Sequence, residues 1–294
     1  MPSFNTSQLQ IYYEQWGARV NPPLLLIHGL GCQLIHWPQA FIDELTDAGF
    51  RVIAADNRDI GLSDTLDTYP VATVGEILAD PAAHPPVYTL DDMAEDLVAL
   101  LNHLGQAGAH IVGLSMGGMI AQVLAIRHPE RCFSLTSIMS TTGNPDLPPG
   151  DPEAMAAFFA TLPEDREAAI AQNQKAWTMV GGPHYDSMAC GFARRSADAI
   201  DRGFSRTGFA RQLLAVLHQS DRRAQLGKLS IPALAIHGTA DPAVPLAAGR
   251  DTADAFPNGR LVEILNMGHD LPDPLLSEVA SAVIEHAKTV PATR

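Results

Sequence analysis

Short apolar runs alternate with helix-like segments along most of the chain, and this rhythm restricts the fold more than any single residue does. Strands buried on both faces of a parallel sheet read as unbroken apolar stretches, with helices crossing between them. Leu24 to His28 is such a run, and it leads into Gly29-Leu30-Gly31. Phe50 to Ala55 is a second, ending at Asp56-Asn57-Arg58-Asp59. Others lie at His110–Leu114, Leu135–Met139, Ala233–His237 and Leu261–Leu265. Thr89 followed by Asp92 predicts a capped helix start, after which Leu90, Met93, Leu97, Leu101 and Leu104 recur at helical spacing. A helix is expected from Met116 to about Arg127, stopped by Pro129, and a closing one from about Leu275 to Ala287. The fold class is α/β: a mostly parallel sheet with helices on both faces.

Residues 141–227 break the rhythm. They open on the turn-rich TTGNPDLPPGDP, where Asp151-Pro152 reads as an N-cap followed by proline at the first helical position. Helices are predicted at about 152–162, 164–180, 185–202 and 207–219, with no strand among them. We therefore expect a core of residues 1–140 and 228–294, with 141–227 inserted between two strands as a helical cap, or lid. Such an insertion lies over the C-terminal edge of the strands, where open α/β sheets bind ligands. Most of its aromatic residues are expected to form the cap's own core, leaving a minority, Trp177 among the candidates, for substrate.

The net charge of -14 has the wrong sign for a phosphate-binding surface, so nucleic acid is not an expected partner. Cys32, Cys132 and Cys190 are widely spaced and include no CxxC, which predicts reduced thiols rather than a zinc knuckle or disulfide framework. The N-terminal stretch lacks a basic segment followed by an apolar one, and no apolar run approaches the ~20 residues of a membrane span. The expectation is a cytoplasmic protein without a membrane span, either a monomer or a homodimer.

Gly113-Leu114-Ser115-Met116-Gly117 fits G-x-S-x-G, with an apolar run before it and an apolar helix after. In that setting a sharp strand-to-helix turn lifts the serine oxygen above the sheet, and the glycines admit backbone where a Cβ would clash. The same string could also be an ordinary small-residue bend, so Ser115 needs partners. A hydroxyl is a weak nucleophile without a base. His269 follows the last apolar run and can reach over the sheet edge, and Asp241 follows the run before it. The order Ser115, Asp241, His269 places a carboxylate where it can orient the base. Asp270 adjoins His269 and is badly placed to reach its ring. His28 and His237 read as packed histidines bonded to local backbone, while His36, His84, His103, His128, His184, His218 and His286 are assigned to loops or helix surfaces. An oxyanion needs N–H donors. Met116 supplies one at the helix start, Leu30 is the choice for the second, and Gly29 is a further candidate for substrate contact.

The chain resembles the α/β-hydrolase superfamily over nearly its full length. The residues that carry the resemblance are His28-Gly29-Leu30-Gly31, Asp56 to Ser63, Gly113 to Gly118, His237-Gly238-Thr239-Ala240-Asp241-Pro242 and Gly268-His269. Asn57-Arg58-Asp59, Met116 and Met267 to Pro272 make it similar, more narrowly, to bacterial capped serine esterases of the aclacinomycin methylesterase kind. The resemblance implies a structural role for the Asp56–Ser63 turn. Arg194, Arg195, Arg202, Arg206 and Arg211 are expected to pair with neighbours or face water. The leading expectation is hydrolysis of a small or medium uncharged ester through an acyl-enzyme, with no metal or organic cofactor. Enol-lactone hydrolysis, C–C bond hydrolysis and perhydrolysis use the same three residues. A ligand-binding protein that keeps the fold without turnover is the alternative of another class. An aspartate-nucleophile enzyme conflicts with Ser115, and no H-E-x-x-H suggests a metallohydrolase.

Overall fold

The computed structural model describes residues 2–6 and 8–290. Among them, strands β1 (Ser3–Asn5), β2 (Gln10–Trp16), β3 (Pro23–Ile27), β4 (Arg51–Ala55), β5 (Ala109–Leu114), β6 (Cys132–Ile138), β7 (Ala233–Gly238) and β8 (Gly259–Ile264) form one sheet in the order β1-β2-β4-β3-β5-β6-β7-β8. The six strands from β3 onward pair in parallel, and β1 and β2 add antiparallel at one edge. These two edge strands have no counterpart among the predicted runs. β2 reads QIYYEQW, and its polar positions leave no unbroken apolar stretch.

Helices α1 (Gln39–Asp47), α2 (Val74–Ala79), α3 (Leu90–His103) and α4 (Met116–Arg127) lie between the early strands. Between β6 and β7 come α5 (Pro152–Phe158), α6 (Arg166–Val180), α7 (Ser187–Cys190), α8 (Ser196–Gly203), α9 (Arg206–Leu217) and α10 (Arg223–Leu226), with no strand among the described residues there. α11 (Leu246–Asp254) and α12 (Leu276–Lys288) complete the chain. The apolar strands feed two cores. Leu25, Ile27, Ile53 and Ile111 pack with α3 and α4 on one face, while Leu24, Leu26, Val52 and Val112 pack with α1 and α12 on the other. Neighbouring residues point to opposite faces, so burying both faces requires apolar side chains at every position.

The Thr89–Asp92 capping box and the Asp151 cap with Pro152 at the first turn form as expected. Two predicted insertion helices are cut. The one expected over 152–162 ends at Phe158: the Ala160 amide turns to the Ala157 carbonyl three residues back at 3.4 Å, and the Gln172 side chain donates to the carbonyls of Ala160 and Thr161 beyond it. The one expected over 185–202 divides at Gly191 into α7, a 3-10 turn and α8. There the Asp270 carboxylate accepts from the Phe192 amide at 3.0 Å, and a Cβ on Gly191 would stand 2.0 Å from Asp270 Oδ2. Two histidines assigned to loops or helix surfaces are instead buried. His36 packs against Trp177 and Phe192, and His286 lies against the Leu135 carbonyl at 3.1 Å. Among the described residues no helix is long and apolar enough to cross a membrane.

β3 pairs with β4 on one side and β5 on the other, so the direction of strand addition reverses there. Open α/β sheets bind ligands in the crevice beyond such a point. The register places Ile27 opposite Gly113, which sets the loop after β3 beside the turn after β5.

Candidate active site

Ser115 caps α4 with φ 55° and ψ -121°, a backbone conformation that side chains other than glycine rarely adopt. Close backbone packing holds it. A Cβ on Gly113 would stand 2.1 Å from the Gly117 carbonyl oxygen, and one on Gly117 2.0 Å from that of Ile27. The Ser115 amide donates to the Ile138 carbonyl at 2.9 Å, and the Ser140 hydroxyl donates to the Ser115 carbonyl at 2.7 Å. The turn thus raises the hydroxyl beyond the ends of β5 and β6.

His269 Nδ1–H donates to Asp241 Oδ2 at 2.8 Å. With its proton on that nitrogen, the ring presents Nε2 as acceptor for the Ser115 hydroxyl at 2.9 Å. Asp241 Oδ1 accepts from the amides of Ala243 and Val244 at 2.9 and 2.8 Å, so its own turn fixes the carboxylate. The three residues expected to act together therefore form one hydrogen-bonded series. Asp270 does not join it. Its buried carboxyl, pushed up to about 6 by burial, accepts from Ser187 and from the amides of Phe192 and Leu271. The His269 amide donates to the Val180 carbonyl at the end of α6, 2.8 Å away.

The loop after β3 lies against the nucleophile: a Cβ on Gly29 would be 3.1 Å from Ser115 Cβ. His28 Nδ1 accepts from the Gly29 amide at 2.8 Å, which puts the ring proton on Nε2. Burial, with His36 and His269 nearby, holds this imidazole well below its usual pKa and therefore neutral. His237 is likewise pushed down by burial and donates to the Val244 carbonyl at 2.7 Å, bracing the Asp241 turn. The Gly31 amide donates to Gln212 Oε1 at 2.9 Å, and the Cys32 amide to the Gly29 carbonyl at 3.2 Å. Among the described residues no acceptor faces the amides of Leu30 and Met116. Met116 also opens α4, where the helix dipole favours negative charge.

Above this loop a cavity of about 40 Å³ is lined by Leu30, His36, Phe158, Trp177 and Phe209, among others. That is room for a few waters. Trp177 is buried and touches Phe158 and Phe192 at ring separations of 5.5 and 5.1 Å.

The Asp56–Ser63 turn joins the insertion to the sheet. Asp56, raised by burial, pairs with Arg202 of α8 at 2.6 Å, and Asp59 pairs with Arg211 of α9 through two bonds of 2.8 Å. Arg211 is 1% exposed, so this arginine, expected on a helix surface, is a buried anchor. Its neighbour Gln212 was not singled out by the sequence, and an isolated glutamine in a helix offers no local signal.

The family model described as alpha/beta hydrolase fold matches residues 22–273. The chain belongs to the alpha/beta hydrolase fold family. Among similar alpha/beta hydrolases, it is 29% identical to the rhodomycin D methylesterase of Streptomyces peucetius, over 96% of each chain. It is also 29% identical to 3-oxoadipate enol-lactonase 2 of Acinetobacter baylyi, over 91% of this chain and 89% of that one. The crystal structure of the enol-lactonase from Burkholderia xenovorans superposes with a TM-score of 0.74 at 24% identity, covering 98% of this chain and 100% of that one.

Proposed function

We propose that the chain hydrolyses a carboxylic ester through an acyl-enzyme formed on Ser115. The observation that carries this reading is the series Ser115–His269–Asp241, with two unengaged amides beside it. Ser115 Oγ attacks the ester carbon while its proton passes to His269 Nε2. Asp241 holds the ring in the required tautomer and offsets its positive charge. The carbonyl oxygen becomes an oxyanion facing the Leu30 and Met116 amides, and loss of one such donor costs about 3 kcal/mol. Collapse expels the alcohol, which takes the proton from His269. Water then gives a proton to His269 and adds to the acyl carbon, releasing the acid and restoring Ser115.

In this reading residues 141–227 form a cap over a core of 1–140 and 228–294. The predominantly apolar cavity wall of Leu30, Phe158, Trp177 and Phe209 suits an uncharged acyl or alcohol group. The methylesterase relatives support an ester, and the enol-lactonase relatives support a second reading, hydrolysis of an ester closed into a ring.

A panel of p-nitrophenyl esters of increasing chain length, an enol-lactone and a dienone tests these readings. Turnover of the open esters, lowered about 10⁶-fold in kcat by Ser115→Ala, is the expected result. Activity confined to the lactone moves the assignment to the second reading. A fluorophosphonate that leaves Ser115 unlabelled in folded protein removes both.

A further inference from the structure

Gln212 lies on α9, far along the chain from the loop after β3, yet it is completely buried against that loop. Its oxygen accepts from the Gly31 amide at 2.9 Å and its nitrogen donates to the Arg58 carbonyl at 2.8 Å. The two partners fix the orientation of the side-chain amide, since an N–H can meet only the oxygen and a carbonyl only the NH₂.

Gly29 to Cys32 form a turn closed by the Cys32 amide on the Gly29 carbonyl, with Gly31 at φ +69° in third position. That sign belongs to a type II turn, and glycine is what makes it accessible. The same freedom lets the Leu30–Gly31 peptide invert at little local cost, because glycine occupies both signs of φ. Inversion would turn the Leu30 carbonyl toward the Gln212 oxygen and leave the Gly31 N–H without its acceptor, an unfavourable exchange in a buried site. The Leu30 N–H belongs to the preceding peptide and keeps its direction in either turn type, so what Gln212 fixes for it is the seat of the turn: without the Gly31 bond the turn loses its hydrogen bond to α9 and shifts together with the Leu30 amide. Of the four amides in the turn, those of Gly29, Gly31 and Cys32 are engaged by His28, Gln212 and Gly29, which leaves Leu30 available.

We propose that Gln212 is a positioning residue: it ties the Gly29–Cys32 turn to α9 and to the Arg58 carbonyl so that the Leu30 amide faces the oxyanion. The inference rests on the ester-hydrolase reading above. It makes the insertion a part of the catalytic geometry as well as a cover.

The test is Gln212→Met, which keeps length and loses both hydrogen bonds, beside Arg211→Met, which removes a stronger anchor one residue away but leaves the Gly31 bond. For Gln212→Met the expected result is a kcat about 30-fold lower with KM within about twofold, a fraction of the 10²–10³ that loss of an oxyanion donor costs. Affinity for a trifluoromethyl ketone, which adds to the serine and carries the oxyanion, falls in the same proportion. Arg211→Met loses more thermal stability and less kcat. If the two variants lose kcat in proportion to stability, or if ketone affinity is unchanged in Gln212→Met, the positioning role is overturned. Fluorophosphonate labelling of Ser115 in the unmodified protein separates the cases, since its absence defeats the hydrolase reading and its presence confines the failure to Gln212.

Discussion

At Ser115 the bond that fixes the backbone comes from the sheet and at Asp241 the bonds that orient the carboxylate come from its own turn, whereas at Gly31 and His269 the bonds on the backbone amides come from the insertion. The Ser115 amide is held by Ile138, and Asp241 by amides two and three residues further on. The Gly31 amide is held by Gln212, the His269 amide by Val180, and the neighbouring Asp270 carboxylate by Ser187 and the Phe192 amide. A Cβ on Gly268 would stand 1.9 Å from the Gly181 carbonyl oxygen, so the histidine loop also packs directly on the end of α6. On the proposed reading the nucleophile is set however the insertion sits, and the acid's carboxylate is oriented by its own turn, which the insertion touches through the Asp151 amide on the Pro242 carbonyl at 2.7 Å. The base and one oxyanion donor are aligned only when it is seated. On the same proposed reading, catalysis is suspended whenever the insertion is unseated, which keeps the reactive arrangement away from bulk water.

After Ser115→Ala, the largest expected effect lies on the self-held side. Asp241→Asn retains an oxygen for the Ala243 and Val244 amides but presents the wrong partner to His269 Nδ1–H. We expect kcat to fall about 10⁴-fold, as for the corresponding change in serine proteases, with thermal stability almost unchanged. A loss under tenfold would send the search for the acid elsewhere. Arg211→Met probes the other half. It leaves the fully buried Asp59 without its charged partner, and breaking a buried pair costs about 3–5 kcal/mol. Urea unfolding measures it, and a cost below 1 kcal/mol would mean that the insertion is not anchored here.

The same division decides what could be read from the sequence. Gly113, Ser115, Gly117 and Met116 form one local string, and Asp241 and His269 each follow an apolar run, so periodicity and turn chemistry pointed to them. The sheet from β3 onward was legible for the same reason. The pairs Asp59–Arg211, Asp56–Arg202 and Gly31–Gln212 join residues separated by well over a hundred positions, and no local pattern announces them. Gly191 could be seen as a glycine but not as a break, because the carboxylate that makes it one arrives from residue 270. His36 was misplaced likewise, since the rings that bury it belong to α6 and the turn after α7.

Acid should probe both halves, with a smaller effect at each. His110 lies in β5 and His36 under the insertion, and burial pushes both down to about 4, with Arg195 and Arg202 also opposing a charge on His36. An unfolded histidine takes up a proton near pH 6.5, so between that pH and about 4 the unfolded chain binds protons that the folded one does not. Stability is therefore full above about 6.5 and is lost as the pH falls toward 4, by at most about 3 kcal/mol for each ring. The sheet around His110 is braced by strands on both sides, whereas His36 is covered by Trp177 and Phe192 from the insertion. Tryptophan fluorescence should therefore change at higher pH than far-ultraviolet circular dichroism. His36→Asn, which keeps a side-chain acceptor within reach of the Gln33 amide, should move the fluorescence transition down toward the dichroism one. His110→Asn should shift the dichroism transition alone. Coincident transitions in the unmodified protein would show that the insertion and the sheet respond to acid as one unit, and the division drawn between them would then be confined to catalysis.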